Sequence, residues 1–153
     1  YSGWQRQVNT PHTIQQVLEE TLTKMVGTKV TCIGCGRTDA GVHAQQFFCH
    51  IIVEKPFHYH PVERLNRMLP NDISIYDCLP ADYVHHAQYD ATSRTYQYHI
   101  HGQKNAFLSE LSAHYSFKNL NSGFLPIDFS LPRKTPEKKA LLNKIAFPLL
   151  SLK

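Results

Sequence analysis

An α+β fold, with an antiparallel or mixed β-sheet and helices packed on one face, is what the order of signals along the chain predicts. Three observations carry it. An amphipathic helical pattern opens the chain. Two β-prone runs then flank a glycine-rich turn. A second helix, opened by proline, precedes two further β-prone runs. No internal repeat interrupts this order.

The first helix is predicted over residues 13–26. Ile14, Val17, Leu18, Leu22, Met25 and Val26 recur at helical spacing and form one apolar stripe. Thr13 followed by Gln16 predicts a capping box, and Gly27 supplies the stop. Such a stripe is core packing. Residues 28–33 and 46–53 read as strands. Phe47, Cys49, Ile51 and Val53 share one face of the second, and Phe48, His50 and Ile52 the other, which predicts a central strand covered on both sides.

Pro61 at the first helical position opens a helix running to Leu69 and closed by Pro70. Residues 73–78 read as a strand, Pro80 and Asp82 as a turn, and residues 87–101 as a long β-prone stretch. Residues 119–132, rich in Asn, Ser, Gly and Pro, read as loop. Thr135-Pro136-Glu137 then caps a last helix with Leu141, Leu142, Ile145 and Leu149 on its apolar side, interrupted at Pro148.

With 153 residues, 42% hydrophobic and 18% charged, the chain has the size and balance of one globular domain with a real core. No apolar run approaches the roughly 20 residues that span a bilayer, so no membrane helix is expected. Nothing at Tyr1 resembles a signal peptide, and the absent initiator Met leaves room for residues upstream. The net charge of +4 is compatible with a polyanionic partner without requiring one. From Arg133 onward the charges are Arg133, Lys134, Lys138, Lys139, Lys144 and Lys153 against Glu137, a basic tail that reads equally as a solvated face or a nucleic-acid contact.

Cys32 and Cys35 form a C-x-x-C, with His43 and His50 downstream. A zinc site would need a second ligand pair at regular spacing. Cys32 alternates inward on a strand while Cys35 lies in the glycine turn, so reduced, buried cysteines are the expectation and metal is not. His99 and His101, and His58 and His60, bring no carboxylate or cysteine at metal-ligand spacing.

The most informative segment is Gly36-Arg37-Thr38-Asp39-Ala40-Gly41-Val42-His43-Ala44. It puts a carboxylate beside a guanidinium on a turn with glycine at both ends. Two readings follow from the residues alone: a salt-bridged turn, or a rigidly held acid of the kind that covalent or general acid–base chemistry uses. The segment resembles, nearly letter for letter, the signature of the TruA family of tRNA pseudouridine synthases. Tyr1-Ser2-Gly3-Trp4-Gln5-Arg6-Gln7 is similar to the end of that family's first strand and the turn after it. Arg64-Leu65-Asn66 through Leu69-Pro70-Asn71-Asp72-Ile73 is similar to its helix-to-strand passage. Ala91-Thr92-Ser93-Arg94-Thr95-Tyr96-Gln97-Tyr98 resembles its second signature. These pieces keep the family's order and approximate spacing over residues 1–117, and residues 118–153 diverge from it.

The resemblance implies an isomerase that converts uridine to pseudouridine in the tRNA anticodon stem-loop, just 3′ of the anticodon. It implies Asp39 as the catalytic residue, attacking sugar C1′ or base C6 or removing a sugar proton. Arg37 would fill the space of the flipped base and hold phosphate. Tyr96 would be the active-site tyrosine, Tyr98 a core-side or supporting one, and Arg94 shares their strand face. His43 would buttress the loop. An isomerisation needs no cofactor and no metal. The implied partners are tRNA and a second copy of the chain in a homodimer, in the cytoplasm, with no membrane.

The family carries a second, similarly folded half whose arginine pairs with the catalytic aspartate, and no such half is recognisable in residues 118–153. Cys35 stands where the signature usually has alanine. Weak or absent turnover by residues 1–153 alone is therefore expected. A non-catalytic RNA-binding module on the same fold is the alternative, and a zinc or thiol protein using Cys32, Cys35, His43 and His50 is a third.

Overall fold

The computed structural model describes residues 1–55, 57–109 and 111–115, together with the backbone of two later strands. In chain order the elements are α1 (Ile14–Val26), β1 (Cys32–Gly34), β2 (Phe47–Ile51), α2 (Pro61–Met68), β3 (Asp77–Ala81), β4 (Ser93–Tyr98), β5 (Ile100–His101), a 3-10 turn (Ala106–Leu108), β6 (Ala113–His114), β7 (Ile127–Pro132) and β8 (Leu142–Phe147). This is the predicted α+β fold. The described elements fall into two compact units, one holding residues 1–91 with β8, the other β4 to β7.

In the first unit a four-stranded antiparallel sheet runs in the order β1-β2-β8-β3. Helix α1 packs on β1, α2 packs on β3, and the two helices meet. Leu18 and Leu22 of α1 and Leu65 of α2 are fully buried, each contributing about 1.5–3 kcal/mol of burial energy. Ile14, Met25, Phe47, Cys49, Ile51, Ile73 and Ile75 complete the core with Trp4. Truncation of Leu18 to Ala would cost about 2–5 kcal/mol, since the surroundings collapse only in part.

Both helices start and stop where the sequence predicts. The Thr13 hydroxyl accepts the Gln16 N–H at 3.3 Å, and Gly27 ends α1 at φ +83° with its N–H on the Thr23 carbonyl. Only half of the capping box forms, because the Gln16 amide donates to Glu20 instead of returning to Thr13. Pro61 opens α2, and Leu69 closes it.

The strands differ from expectation, each for a traceable reason. Residues 1–7 form no strand; Gly3 sits at φ +82°. β1 begins at Cys32, not 28, because backbone groups ahead of it bond to helix side chains: Val30 N–H donates to Thr23 Oγ1 at 3.2 Å. β3 begins at Asp77, not 73. The Asn66 amide takes both the N–H and the C=O of Ile75, at 2.7 and 2.8 Å, and Ile73 N–H bonds the Pro70 carbonyl. Pro80 falls inside β3, which is an edge strand and tolerates the missing N–H. β2 is paired on both edges, yet one of its faces is covered only in part: His50 is buried there, while Phe48 and Ile52 are exposed.

The tail departs most. Residues 127–132, read as loop, form β7 and pair antiparallel with β4 from Ser93↔Pro132 to Tyr98↔Ile127. Residues 142–147, read as helix, form β8 and satisfy the facing edges of β2 and β3. Residues 127–132 carry period-two alternation (Ile127, Phe129, Leu131), a strand signal the loop reading overlooked, whereas residues 142–147 carry none. The remainder of the expected helix, residues 135–141 and 148–149, lies outside the described residues.

Candidate active site

Residues 35–46 leave the open end of the β1–β2 hairpin. The register Cys32↔Ile51, Ile33↔His50, Gly34↔Cys49 is extended by Cys35 N–H donating to the Phe48 carbonyl at 2.7 Å. Gly34 has no room for a side chain. A Cβ there would lie 2.6 Å from the Trp4 indole and 2.8 Å from the Phe47 ring, and those two rings pack with centroids 4.2 Å apart.

Beyond this hairpin the loop runs across the N-terminal segment. Trp4 N–H donates to the Thr38 carbonyl at 3.1 Å, and Gly41 N–H to the Tyr1 carbonyl at 3.2 Å. A tight turn follows, with Val42 N–H on the Asp39 carbonyl at 3.3 Å and Gly41 at φ +76°, a conformation that favours glycine. The Tyr1 hydroxyl in turn donates to Asp72 Oδ1 at 2.8 Å. Its pKa is pushed up to about 12, first by burial and then by the Asp72 carboxylate.

Of the residues singled out in the sequence, Arg37, Asp39 and His43 all lie on this loop with exposed side chains. Among the described residues Arg37 and Asp39 form no salt bridge with each other, so the salt-bridged-turn reading is not realised. Both groups point chemistry outward while the backbone between them is held. Arg94, Tyr96 and Tyr98 lie on β4 of the second unit and share one face by alternation. Arg94 and Tyr96 are half-buried. Tyr98, expected as a core-side or supporting residue, is 55% exposed.

The cysteines are all free thiols, with Cys32 and Cys49 buried and Cys35 and Cys78 half-buried. Burial, then the neighbouring Cys32, raises the Cys49 pKa well above its ordinary value; burial, then Asp77, pushes Cys78 up to about 11. Cys49 and Cys78 are thus held as thiols rather than thiolates at neutral pH. Among the described residues no group of three or more His, Cys, Asp or Glu side chains is arranged to hold a metal ion.

Sequence reasoning overlooked the frame behind the loop. Glu19 is 7% exposed, and its carboxylate accepts Arg6 Nη1 at 3.1 Å, Gln15 Nε2 at 2.9 Å and Cys32 N–H at 3.1 Å. Gln15 Nε2 also donates to the Cys32 carbonyl at 2.9 Å. The available signal was an acid next to Leu18 on the edge of an apolar stripe. Overlooked too was a histidine cluster. His50 is buried on β2 with Nδ1 accepting the Ala87 N–H at 3.1 Å, and it meets the His86 ring edge-on. Asp90 holds that turn through His86 N–H and His85 Nδ1.

An exposed carboxylate on a tethered turn, with a guanidinium two residues away, can act as nucleophile or base toward a ligand that is itself anionic. No family model matches the chain. Over 113 residues the chain is 44% identical to tRNA pseudouridine synthase A of Parabacteroides distasonis, covering 72% of this chain and 44% of that protein. It is 44% identical over 114 residues to the protein of that name in Porphyromonas gingivalis, covering 72% and 45%. To tRNA pseudouridine synthase A 2 of Bacillus cereus it is 39% identical over 124 residues, covering 79% and 50%. The chain spans about half the length of the curated relatives it matches. On these likenesses the chain belongs to the TruA family of tRNA pseudouridine synthases.

Proposed function

We propose that this chain supplies the catalytic-aspartate half of a tRNA pseudouridine synthase, isomerising uridine in the anticodon stem-loop. Residues 1–117 are that half, and residues 118–153 the divergent remainder. The reaction breaks the C1′–N1 bond of a uridine and rejoins the base through C5; C5 loses its proton and N1 ends with one. Asp39 is the reacting carboxylate. Arg37 occupies the space of the extruded base or holds its phosphate, where a planar guanidinium can stack and pair at once. Tyr96 stacks on the freed uracil, with Arg94 and Tyr98 on the same strand face binding substrate, and His43 supports the turn. The protein works in the cytoplasm on tRNA, as a homodimer. Among the described residues no helix is long and apolar enough to cross a membrane.

The observation that carries this reading is the exposed Asp39 on a turn whose backbone is bonded on both sides to residues 1–4. The test is tritium release from C5-labelled uridine in a tRNA transcript, wild type beside Asp39→Ala. Slow release that disappears in the variant is expected. Equal release from both would sink the assignment of Asp39, and tRNA binding with no release from either would favour the non-catalytic RNA-binding module.

A further inference from the structure

We propose that residues 1–4 are a clamp that positions Asp39, with Gly3 and Trp4 as positioning residues. The proposal rests on the reading of Asp39 as the reacting carboxylate.

Two sets of backbone bonds make the clamp. On one side, the first N–H groups of a helix have no partner within it. At α1, Ile14 N–H donates to the Gly3 carbonyl at 3.1 Å and Gln15 N–H to the Trp4 carbonyl at 3.0 Å. On the other side, Trp4 N–H and the Tyr1 carbonyl bond to Thr38 and Gly41, one residue before Asp39 and two after it. Asp39 is thereby tied through a single stretch of chain to the start of a buried helix.

Gly3 makes the approach possible. A Cβ there would stand 2.3 Å from the Thr38 carbonyl oxygen and 3.0 Å from the Asp39 carbonyl carbon, and the residue sits at φ +82°. Trp4 supplies the anchor, with its indole 3% exposed against Phe47 and Gly34. Tyr1 is tied down separately at Asp72. The carboxylate itself stays exposed. A reacting group displaced by about 1 Å can lose on the order of 100-fold in rate, so holding both flanks of Asp39 has direct catalytic value.

The experiment compares wild type, Gly3→Ala, Gly3→Asn and Asp39→Ala in the full chain. Asn accepts a left-handed φ better than Ala but still carries a Cβ. A clamp set by close approach therefore predicts that both Gly3 variants fail, whereas a merely conformational need predicts rescue by Asn. Expected are about a tenfold or greater loss of kcat in both, KM and tRNA affinity within about twofold of wild type, and a cooperative melt. In the wild type, the Trp4 and Gly41 amides should be protected from hydrogen exchange, and less so in the variants. Wild-type kcat in both Gly3 variants, rescue by Asn, or unprotected Trp4 and Gly41 amides in the wild type would each overturn the clamp. If Asp39→Ala keeps wild-type turnover, or the wild type has none, the reading of Asp39 fails separately and amide protection alone decides the clamp. The same measurement decides it if the Gly3 variants unfold.

Discussion

The buried carboxylate of Glu19 accepts the backbone N–H of Cys32 at 3.1 Å, while Gln15 one turn earlier donates to the Cys32 carbonyl at 2.9 Å. Two helical side chains four residues apart thus stand in for a neighbouring strand at the free edge of β1. Their reach is what joins α1 to the strand that leads into the turn holding Asp39. Burying the carboxylate is tolerable because Arg6, Gln15 and Cys32 all donate to it.

Glu19→Ala should destabilise the first unit by about 1–3 kcal/mol, the cost of leaving a buried N–H unpaired. Glu19→Gln keeps an acceptor for Cys32 and should recover most of that loss. Urea unfolding of the three proteins checks it, and equal stability of Ala and Gln variants would refute the surrogate-strand role.

Asn66 plays the same part for Ile75, with both backbone groups of a residue 1% exposed bonded to one side-chain amide. Asn66→Ala leaves two buried groups without partners and should cost about 1–3 kcal/mol for each. Asn66→Asp keeps the acceptor for the Ile75 N–H and loses the donor, so its melting temperature should fall between wild type and Ala.

The His50 pKa is lowered, by burial first and by His86 second, with Asp90 opposing. The folded state therefore favours the neutral ring, which also keeps Nδ1 free to accept the Ala87 N–H. Stability from this source is present above the unfolded value of about 6.5 and is lost as pH falls below it. Melting curves from pH 7.5 to 5 should show that decline, and His50→Gln should flatten it.

The Tyr1 hydroxyl titrates the other way. Its folded pKa of about 12 lies above the ordinary phenol value of 10.0, so the neutral phenol stabilises the fold. That contribution is whole below pH 10 and disappears as pH rises through 12. Tyr1→Phe should be less stable than wild type at neutral pH, and the difference should vanish at the alkaline end. A gap that stays constant with pH would show that the Asp72 bond contributes nothing.

Much of this was legible in the residues themselves. Both helices follow from local rules: apolar spacing, Thr13 and Gly27 at the ends of one, Pro61 and Pro70 around the other. The turn holding Arg37 and Asp39 announced itself by wording, and the order of elements gave the fold class. Strand limits were not legible, because Val30, Cys32 and Ile75 bond to side chains of Thr23, Glu19 and Asn66 on the preceding helices, 7, 13 and 9 residues away, and no strand periodicity announces such bonds. Neither was the tail, where a helical-looking run becomes β8 because β2 and β3 each present an edge that only a strand can satisfy. Local periodicity is set by a residue's neighbours along the chain and so can be read from it. The partner of each backbone N–H, and with it the place of Asp39 against Gly3 and Trp4, is decided only when distant segments meet.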